Sequence, residues 1–326
     1  LTKYGLKHLR HNPSVGLETL IKLAKFDTRF PFDSEDITFR IAPRINACGR
    51  LNQPEVAAQL LLCQDAANAT KLAKKMDDFN EERKSIEAKL TETAHSLAEQ
   101  KFASSSAVVI AGEGKEWNPG VVGIVAGKLA NSLNKPCIVL AYDNGRYKGS
   151  GRGIAGINLV KALASCSDLL EHWGGHPVAV GLTVCKTKID DFIFAFTNFL
   201  DTDGNNQIQD PSLQIDAVLN ASDIDDELLN EIGMIGPFGQ ENREPTFALK
   251  EVMLDTKPRP VGNGEHFQFR VKNGDQSIAG IAWKMKDRIP PVHTKIDLAF
   301  RLKWNRWNNQ NTPQMVLKDW KVSEET

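Results

Sequence analysis

Apolar positions change their spacing along the chain, and each change marks a different kind of element. Near the start, Leu17, Leu20, Ile21 and Leu23 recur at helical intervals within NPSVGLETLIKLA, which predicts a helix with Pro13 close to its beginning. Ser34-Glu35-Asp36-Ile37 offers another helix start, and IAPRINACGRL then sets Arg44, Asn46 and Arg50 within seven residues, interrupted by Pro43 and Gly49. That spacing displays several strong donors on a loop or helix end. From Asp65 to about Phe102 there is neither Gly nor Pro and good helix formers dominate. Leu72, Met76, Phe79, Ile86, Leu90 and Leu97 fall on alternating steps of three and four, with Arg83 and Thr93 breaking the seam. Such a helix is about 55 Å long. A helix of that length joins two bodies or pairs as a coiled coil, and the interrupted seam favours the connector.

Between Ser104 and about Asp203 the pattern alternates strand and helix: SAVVIA, a helix starting at Pro119 in PGVVGIVAGKLANSL, PCIVLAY, a hairpin-like return through GRYKGSGRG, a helical stretch from Gly156 to near Leu170, VAVGLTV, and a closing helix KIDDFIFAFTNFL. This reads as an α/β domain, with Phe192, Phe194, Phe196 and Phe199 assigned to its core. DGNNQIQD is a short linker. Beyond it, SLQIDAVL, PTFALKEVML, EHFQFRVK, SIAGIAWKM, KIDLAFRLKW and QMVLKDWKV alternate apolar and polar residues, separated by turn signals at Gly262-Asn263-Gly264, Asn273-Gly274 and Asn308-Asn309. That is the pattern of a small β-barrel, interrupted by a helix from Ser222 to Ile232 with Ser222 as its expected N-cap. The predicted fold class is α/β plus all-β, joined by a long helix: residues 1–64, helix 65–103, α/β domain 104–203, barrel 204–326.

Composition changes this picture little. The 326 residues are 41% hydrophobic and 25% charged, and 40 Lys plus Arg balance 41 Asp plus Glu. Charge distribution says more. Asp210 to Leu249 holds nine acidic residues and one basic, whereas Lys250 to Arg306 holds twelve basic and six acidic. A basic face on a near-neutral chain suits a nucleic-acid groove, although such runs also occur as plain solvated surface. Five cysteines are scattered without a C-x-x-C pair, which points to a reducing cytoplasm and to neither a zinc site nor a disulfide framework. No apolar run approaches the roughly 18 residues of a membrane span. The chain starts at Leu1 without a signal peptide, and is expected to begin partway through a longer product.

The candidate chemistry gathers in KGSGRGIAGINLVKALASCSDLLEHWGGH. Gly149, Gly151 and Gly153 bracket Ser150 and Arg152, so a sharply turning backbone would expose amides beside a hydroxyl and a guanidinium, a set suited to phosphate. The helical pattern that follows would aim its N-terminus at the same place. Gly174-Gly175-His176 precedes VAVGLTV and holds a histidine at the mouth of a strand. Each piece alone also reads as plain structure, and their combination shifts the reading toward a site. In the barrel, Phe269, Arg270, Trp304 and Trp307 head a set of basic and aromatic residues (with Phe267, Lys272, Trp283, Lys284, Lys286 and Arg306) suited to single-strand binding, with the phenylalanines equally placed for the core. Carboxylate clusters for two-metal hydrolysis are missing: no D-x-D or D-H-H run occurs, Asp190-Asp191 and Asp225-Asp226 sit at helix starts, and the seven histidines form no metal-binding spacing.

WNPGVVGIVAGKL, GSGRG and GGHPVAVG, with APRINACGR before them and EIGMIGPFGQENREPTF after, resemble in that order the DHH phosphoesterase superfamily, and most closely its RecJ-like branch of bacterial single-stranded-DNA exonucleases. The resemblance spans nearly the whole chain. It implies the end of a DHH lobe over 1–64, a DHHA1 substrate-binding domain over 104–203 and an OB-fold over 204–326. It further implies 5′-to-3′ hydrolysis of single-stranded DNA in repair and recombination, with Mn²⁺ or Mg²⁺ held by a lobe that precedes Leu1, none by this chain, and no activity of this piece alone. Ser150 and Arg152, with Gly149, Gly151 and Gly175 around them, would take the 5′ phosphate, with Gly153 where relatives often carry a second Ser. His176 would reach the scissile phosphate as the catalytic residue; Asn118 stands where relatives often have His; Arg44, Asn46 and Arg50 would line the cleft. Single-stranded DNA is the implied partner, single-strand-binding protein a further one by resemblance alone, and a membrane is not implied. The alternatives are a non-catalytic single-strand-binding module and a phosphodiesterase for short oligonucleotides or cyclic dinucleotides, the latter disfavoured by the barrel.

Overall fold

The computed structural model describes residues 1–202, 212–273, 276–306 and 311–324. They form two compact units, Lys7–Pro211 and Leu1–Leu6 with Ser212–Thr326. The linker DGNNQIQD, Trp307 and the Asn308-Asn309 turn lie outside the described residues, as does Gly274.

The chain begins with helices α1 (Thr2–His11), α2 (Val15–Leu23), α3 (Ser34–Asp36), α4 (Ala42–Arg50) and α5 (Pro54–Leu62). Ser14 caps α2, accepting from the Leu17 amide at 3.5 Å. α6 runs from Ala66 to Phe102, capped by Asp65, whose carboxylate accepts the Asn68 amide at 2.7 Å. Its buried seam is Ala69, Ala73, Met76, Asn80, Glu87, Leu90, Ala94 and Ala98, while Leu72 and Phe79 are half-exposed. Of the seam read from the sequence, Met76 and Leu90 are fully buried, but the rest of the inward face is mostly alanine, because α2, α4, α5 and then α7 approach it closely.

The α/β part follows with β1 (Val108–Gly112), α7 (Val122–Leu133), β2 (Cys137–Asp143), β3 (Arg146–Arg152), α8 (Leu159–Ala164), β4 (Leu170–His176), β5 (Ala179–Cys185) and α9 (Ile189–Thr202). The strands lie in the order β1-β2-β3-β5-β4, with β1 and β2 parallel and the remaining neighbours antiparallel. One face packs on α6 and α7 through Val108, Ile110, Cys137, Val139 and Ala141. The other packs through Ile138, Leu140, Val180, Leu182 and Val184 against α8 and α9. Phe192 and Phe196 are buried there, Phe199 is half-buried, and Phe194 is 72% exposed, so only part of the expected aromatic core forms. The helical stretch expected to reach near Leu170 stops as α8 at Ala164, and LEHWGGH, whose histidine was expected at the mouth of a strand, is itself the edge strand β4.

In the smaller unit β6 (Ala217–Val218) and α10 (Asp226–Ile235) precede β7 (Phe247–Val252), β8 (Arg259–Val261), β9 (His266–Asn273), β10 (Gln276–Ala282), β11 (Ile296–Asn305) and β12 (Thr312–Val322). The N-cap of α10 is Asp225, which accepts the Leu228 amide at 2.9 Å; Ser222 belongs to a preceding short 3₁₀ turn. β10 and β12 pair in parallel, β11 bridges β12 to β7, and β9 joins β10. A bridge between Leu254 and Val271, with Asp255 donating its amide to the Arg270 carbonyl at 2.9 Å, closes the barrel. Phe267, Phe269, Val271, Phe300, Leu302, Met315 and Leu317 fill it.

Candidate nucleic-acid interface

Strand β3 carries the first part of the candidate site, and it is not a loop. Residues 146–152 are the middle of the five strands, paired with β2 and β5 throughout, so the backbone of Gly149-Ser150-Gly151 is committed to the sheet ladder and cannot form an anion-binding nest. Alternation supplies another device. Ser150 and Arg152 point to the α7 face, while Gly149 and Gly151 point away, where a Cβ at Gly149 would lie 2.1 Å from the Val139 carbonyl oxygen and one at Gly151 would lie 2.7 Å from Val180 Cγ2. The glycines therefore answer crowding. The helix after them, α8, has its first amides taken by its own N-cap, Asn158, at 3.1 and 3.2 Å from Val160 and Lys161.

Register brings Arg152 and His176 into one row. Arg152 lies opposite Ala179 on β5, and Ala179 lies opposite His176 on β4, placing the two backbones about 10 Å apart on the same face. The adjacent row is Ser150, Gly181 and Gly174. Where α7 covers Ser150 and Arg152, the β5–β4 end of this face carries small residues and is open: Gly174, His176 and Gly181 are exposed. Gly175 sits at φ 143° where a Cβ would lie 2.3 Å from the Ala179 carbonyl oxygen, a close-approach position on the opposite face.

Helix α7 and the turn before it explain how Arg50 comes near Arg152 from about a hundred residues away. Gly120, Gly123 and Gly127 give the start and inner face of α7 a glycine stripe. A Cβ at Gly120 would lie 2.2 Å from the Arg50 carbonyl oxygen, one at Gly123 would lie 3.2 Å from Ser150 Oγ and 3.4 Å from an Arg152 Nη, and one at Gly127 would lie 3.7 Å from Arg152 Cγ. Arg50 also donates an Nη to the Gly120 carbonyl at 2.7 Å, and Arg152 donates to the Gly151 carbonyl at 2.8 Å. Burial, reinforced by the Arg83 guanidinium and, more weakly, by Arg152 and opposed by Glu87, pushes the Arg50 pKa below its ordinary value. Like charges gathered in a partly desolvated place have the chemistry to attract a multiply charged anion. The sequence reading missed the α7 stripe, although its signal was present as Gly at steps of three and four in an apolar helix.

The remaining expected residues separate. Arg44, on helix α4, is bound to Asp77 of α6 at 2.9 Å and donates to the Arg40 carbonyl at 2.5 Å, so its guanidinium serves the α4–α6 contact. Asn46 is exposed one helical turn from Arg50 and shares its side of α4. Asn118 holds the turn before α7, accepting the Gly120 amide on Oδ1 at 2.8 Å.

In the barrel, alternation along β9 turns Phe269 inward at 3% exposure, its ring over Gly280, so it is core and not a stacking surface. Trp304 also belongs to the inward series of β11 and packs against the core. The outward series of β9 is Gln268, Arg270 and Lys272, all exposed, with Arg259 of β8 beside Gln268 and Arg270 donating to Ser277 Oγ at 2.9 Å. At one end of this face Trp283 is 54% exposed, and its ring meets His266 edge to face at 4.9 Å. His266 is fixed in turn, since its Nδ1 accepts the Lys284 amide at 2.9 Å. On β11, Arg301 and Lys303 are drawn onto the buried Glu244 at 3.3 and 2.8 Å, which leaves β8 and β9 as the open basic side.

Among the described residues no group of three His, Cys, Asp or Glu could hold a metal ion, and no helix is long and apolar enough to cross a membrane. The five cysteines are free. Burial pushes the Cys137 thiol up to about 12, which removes it from thiolate chemistry.

Residues 102–202 match the DHHA1 domain model, and residues 215–319 match that of the RecJ OB domain. The chain is 34% identical to the single-stranded-DNA-specific exonuclease RecJ of Bacillus subtilis across 98% of its own length, and 31% identical to that of Thermus thermophilus across 94%. It spans 41% and 43% of those relatives, less than half of each. A solved structure of RecJ from Thermus thermophilus in complex with Mn²⁺ superposes with a TM-score of 0.83 at 28% identity, covering 99% of this chain and 46% of that one, and a structure of the same protein with Mg²⁺ gives 0.84.

Proposed function

We propose, for a chain that belongs to the RecJ family through its DHHA1 and RecJ OB domains, that it is the substrate-holding part of a 5′-to-3′ exonuclease acting on single-stranded DNA in repair and recombination. The observation that carries this reading is the convergence of Arg50, Ser150 and Arg152 about the start and inner face of α7, with Arg152 in the same row as the exposed His176. Arg152 and Ser150 grip the phosphate at the 5′ end, Arg50 adds charge, and His176 reaches toward the phosphate to be cleaved, where an imidazole could stabilise developing charge. The basic β8–β9 side of the barrel takes more of the strand, with bases stacking on Trp283. Mn²⁺ or Mg²⁺ would supply an activated water from ligands outside this chain. The protein works in the reducing cytoplasm, in keeping with its free cysteines, and meets DNA presented by single-strand-binding protein.

A 5′-phosphorylated oligonucleotide and its 5′-hydroxyl twin test the end anchor. Arg152→Ala is expected to weaken the phosphorylated strand about tenfold more than the other, the size of one charge-assisted contact. Equal losses would remove the anchoring role.

A further inference from the structure

The buried seam of α6 is filled by small and apolar residues except near its middle, where Asn80, Arg83 and Glu87 face inward. Asn80 is 1% exposed, and the side chains of Arg83 and Glu87 are 12% and 9% exposed. Arg83 donates to Asn80 Oδ1 at 2.6 Å and to one oxygen of Glu87; Lys128 of α7 meets the other oxygen at 2.6 Å. A buried ion pair of this kind is commonly no more stabilising than an apolar replacement of the same shape, so packing alone gives no reason for charge at this point of the seam.

The neighbours supply one. Lys128 follows Gly127, which backs onto Arg152, the same helix meets Ser150 and Arg152 at Gly123, and the turn just before it meets Arg50 at Gly120. α7 thus ties the polar middle of α6 to the guanidiniums under which the end phosphate is placed. The Glu87 carboxyl would be raised by burial, but hydrogen bonds from Lys128 and Arg83 outweigh that and hold it below its ordinary value, so it is anionic at neutral pH. Arg50 lies within reach of the charges of Arg83, Glu87 and Arg152, and Glu87 offsets only part of the positive charge gathered along α7, so the excess favours the roughly −1.5 to −2 of a terminal phosphate monoester over the single charge of an internal diester.

Resting on the end-anchoring reading above, we infer that Arg83 is a third guanidinium of the terminal-phosphate site, positioned by Asn80 and Glu87, and that Glu87 sets how strongly the site prefers a monoester end. Arg83 and Lys128 raise the preference. Glu87 lowers it while holding Arg83 in place.

The quantity to measure on the full chain is the ratio of dissociation constants for 5′-hydroxyl and 5′-phosphorylated strands of one sequence. Arg83→Gln is expected to lower this ratio about tenfold and Arg83→Lys to keep it within about twofold, since one charge-assisted contact is lost or retained. Lys128→Gln, at a side chain 47% exposed, leaves folding intact and should lower the ratio a few-fold. Glu87→Gln should move it the other way, raising it a few-fold, even where thermal stability falls. A network serving only the fold would change both strands equally. Unchanged ratios in Arg83→Gln and Lys128→Gln, or a lower ratio in Glu87→Gln, overturn the inference. Arg152→Ala in the same series separates the two failures: if it too leaves the ratio unchanged, end anchoring itself is lost, whereas a fall in that variant alone leaves anchoring standing and removes Arg83 from the site.

Discussion

At the scale of single residues, position within a strand decided roles that residue type alone left open. Ser150 and Arg152 are the hydroxyl and the guanidinium of a glycine-rich run, and it is for them that a phosphate is proposed. Their neighbours are glycine because β2 and β5 press on the far face, which the chain order does not reveal. Gly149→Ala places a methyl group 2.1 Å from a backbone oxygen in a central strand, and is expected to cost about 2 to 3 kcal/mol as an overpacking change. Urea unfolding checks this; a midpoint within error of the parent's would mean that β3 relaxes locally. Arg44 and Arg50 show the same limit. Two arginines of one motif look equivalent in sequence, yet one is spent on Asp77 and the other reaches Gly120.

Among the elements, α6 was the most legible: an unbroken run without Gly or Pro, predicted over 65–103 and observed over Ala66–Phe102. Its inward face was read only in part: Met76 and Leu90 lie in it, while elsewhere hydrophobic size was followed where close helix approach selects alanine. The barrel strands were legible from their alternation, but alternation has two phases, and aromatic residues occupy both. On β9 the inward phase takes Phe267 and Phe269; at the end of β10, Trp283 stands outside. Trp283→Ala is therefore expected to weaken a long single strand about tenfold and leave a mononucleotide unaffected, in line with one stacked base. Trp304→Ala should instead lower the unfolding temperature, because that ring packs on the barrel core. Fluorescence anisotropy with long and short ligands, paired with thermal melts, reads both. If Trp283→Ala leaves long-strand affinity intact, the β8–β9 side loses its stacking role.

For the whole molecule, the two compact units divide at Pro211–Ser212, next to the polar stretch read as a linker. The chain spans less than half of its Bacillus subtilis relative, and the described residues hold no metal cluster. With Mn²⁺ and a labelled 5′-phosphorylated strand, the proposed substrate-holding role predicts binding by this chain without release of nucleotides, and release once the part of its relatives that it does not span is supplied; metal-dependent release by the chain alone would place a catalytic centre within it. The sequence by itself determined the long helix, most of the strands and helices and the α/β-then-barrel order, because periodicity and turn chemistry are local and act over a few residues. Only the tertiary structure decided which of those residues meet. Arg50 and Arg152 lie about a hundred positions apart, and what joins them is a glycine stripe on α7, a strand phase and a ladder register, each set by close packing between distant segments.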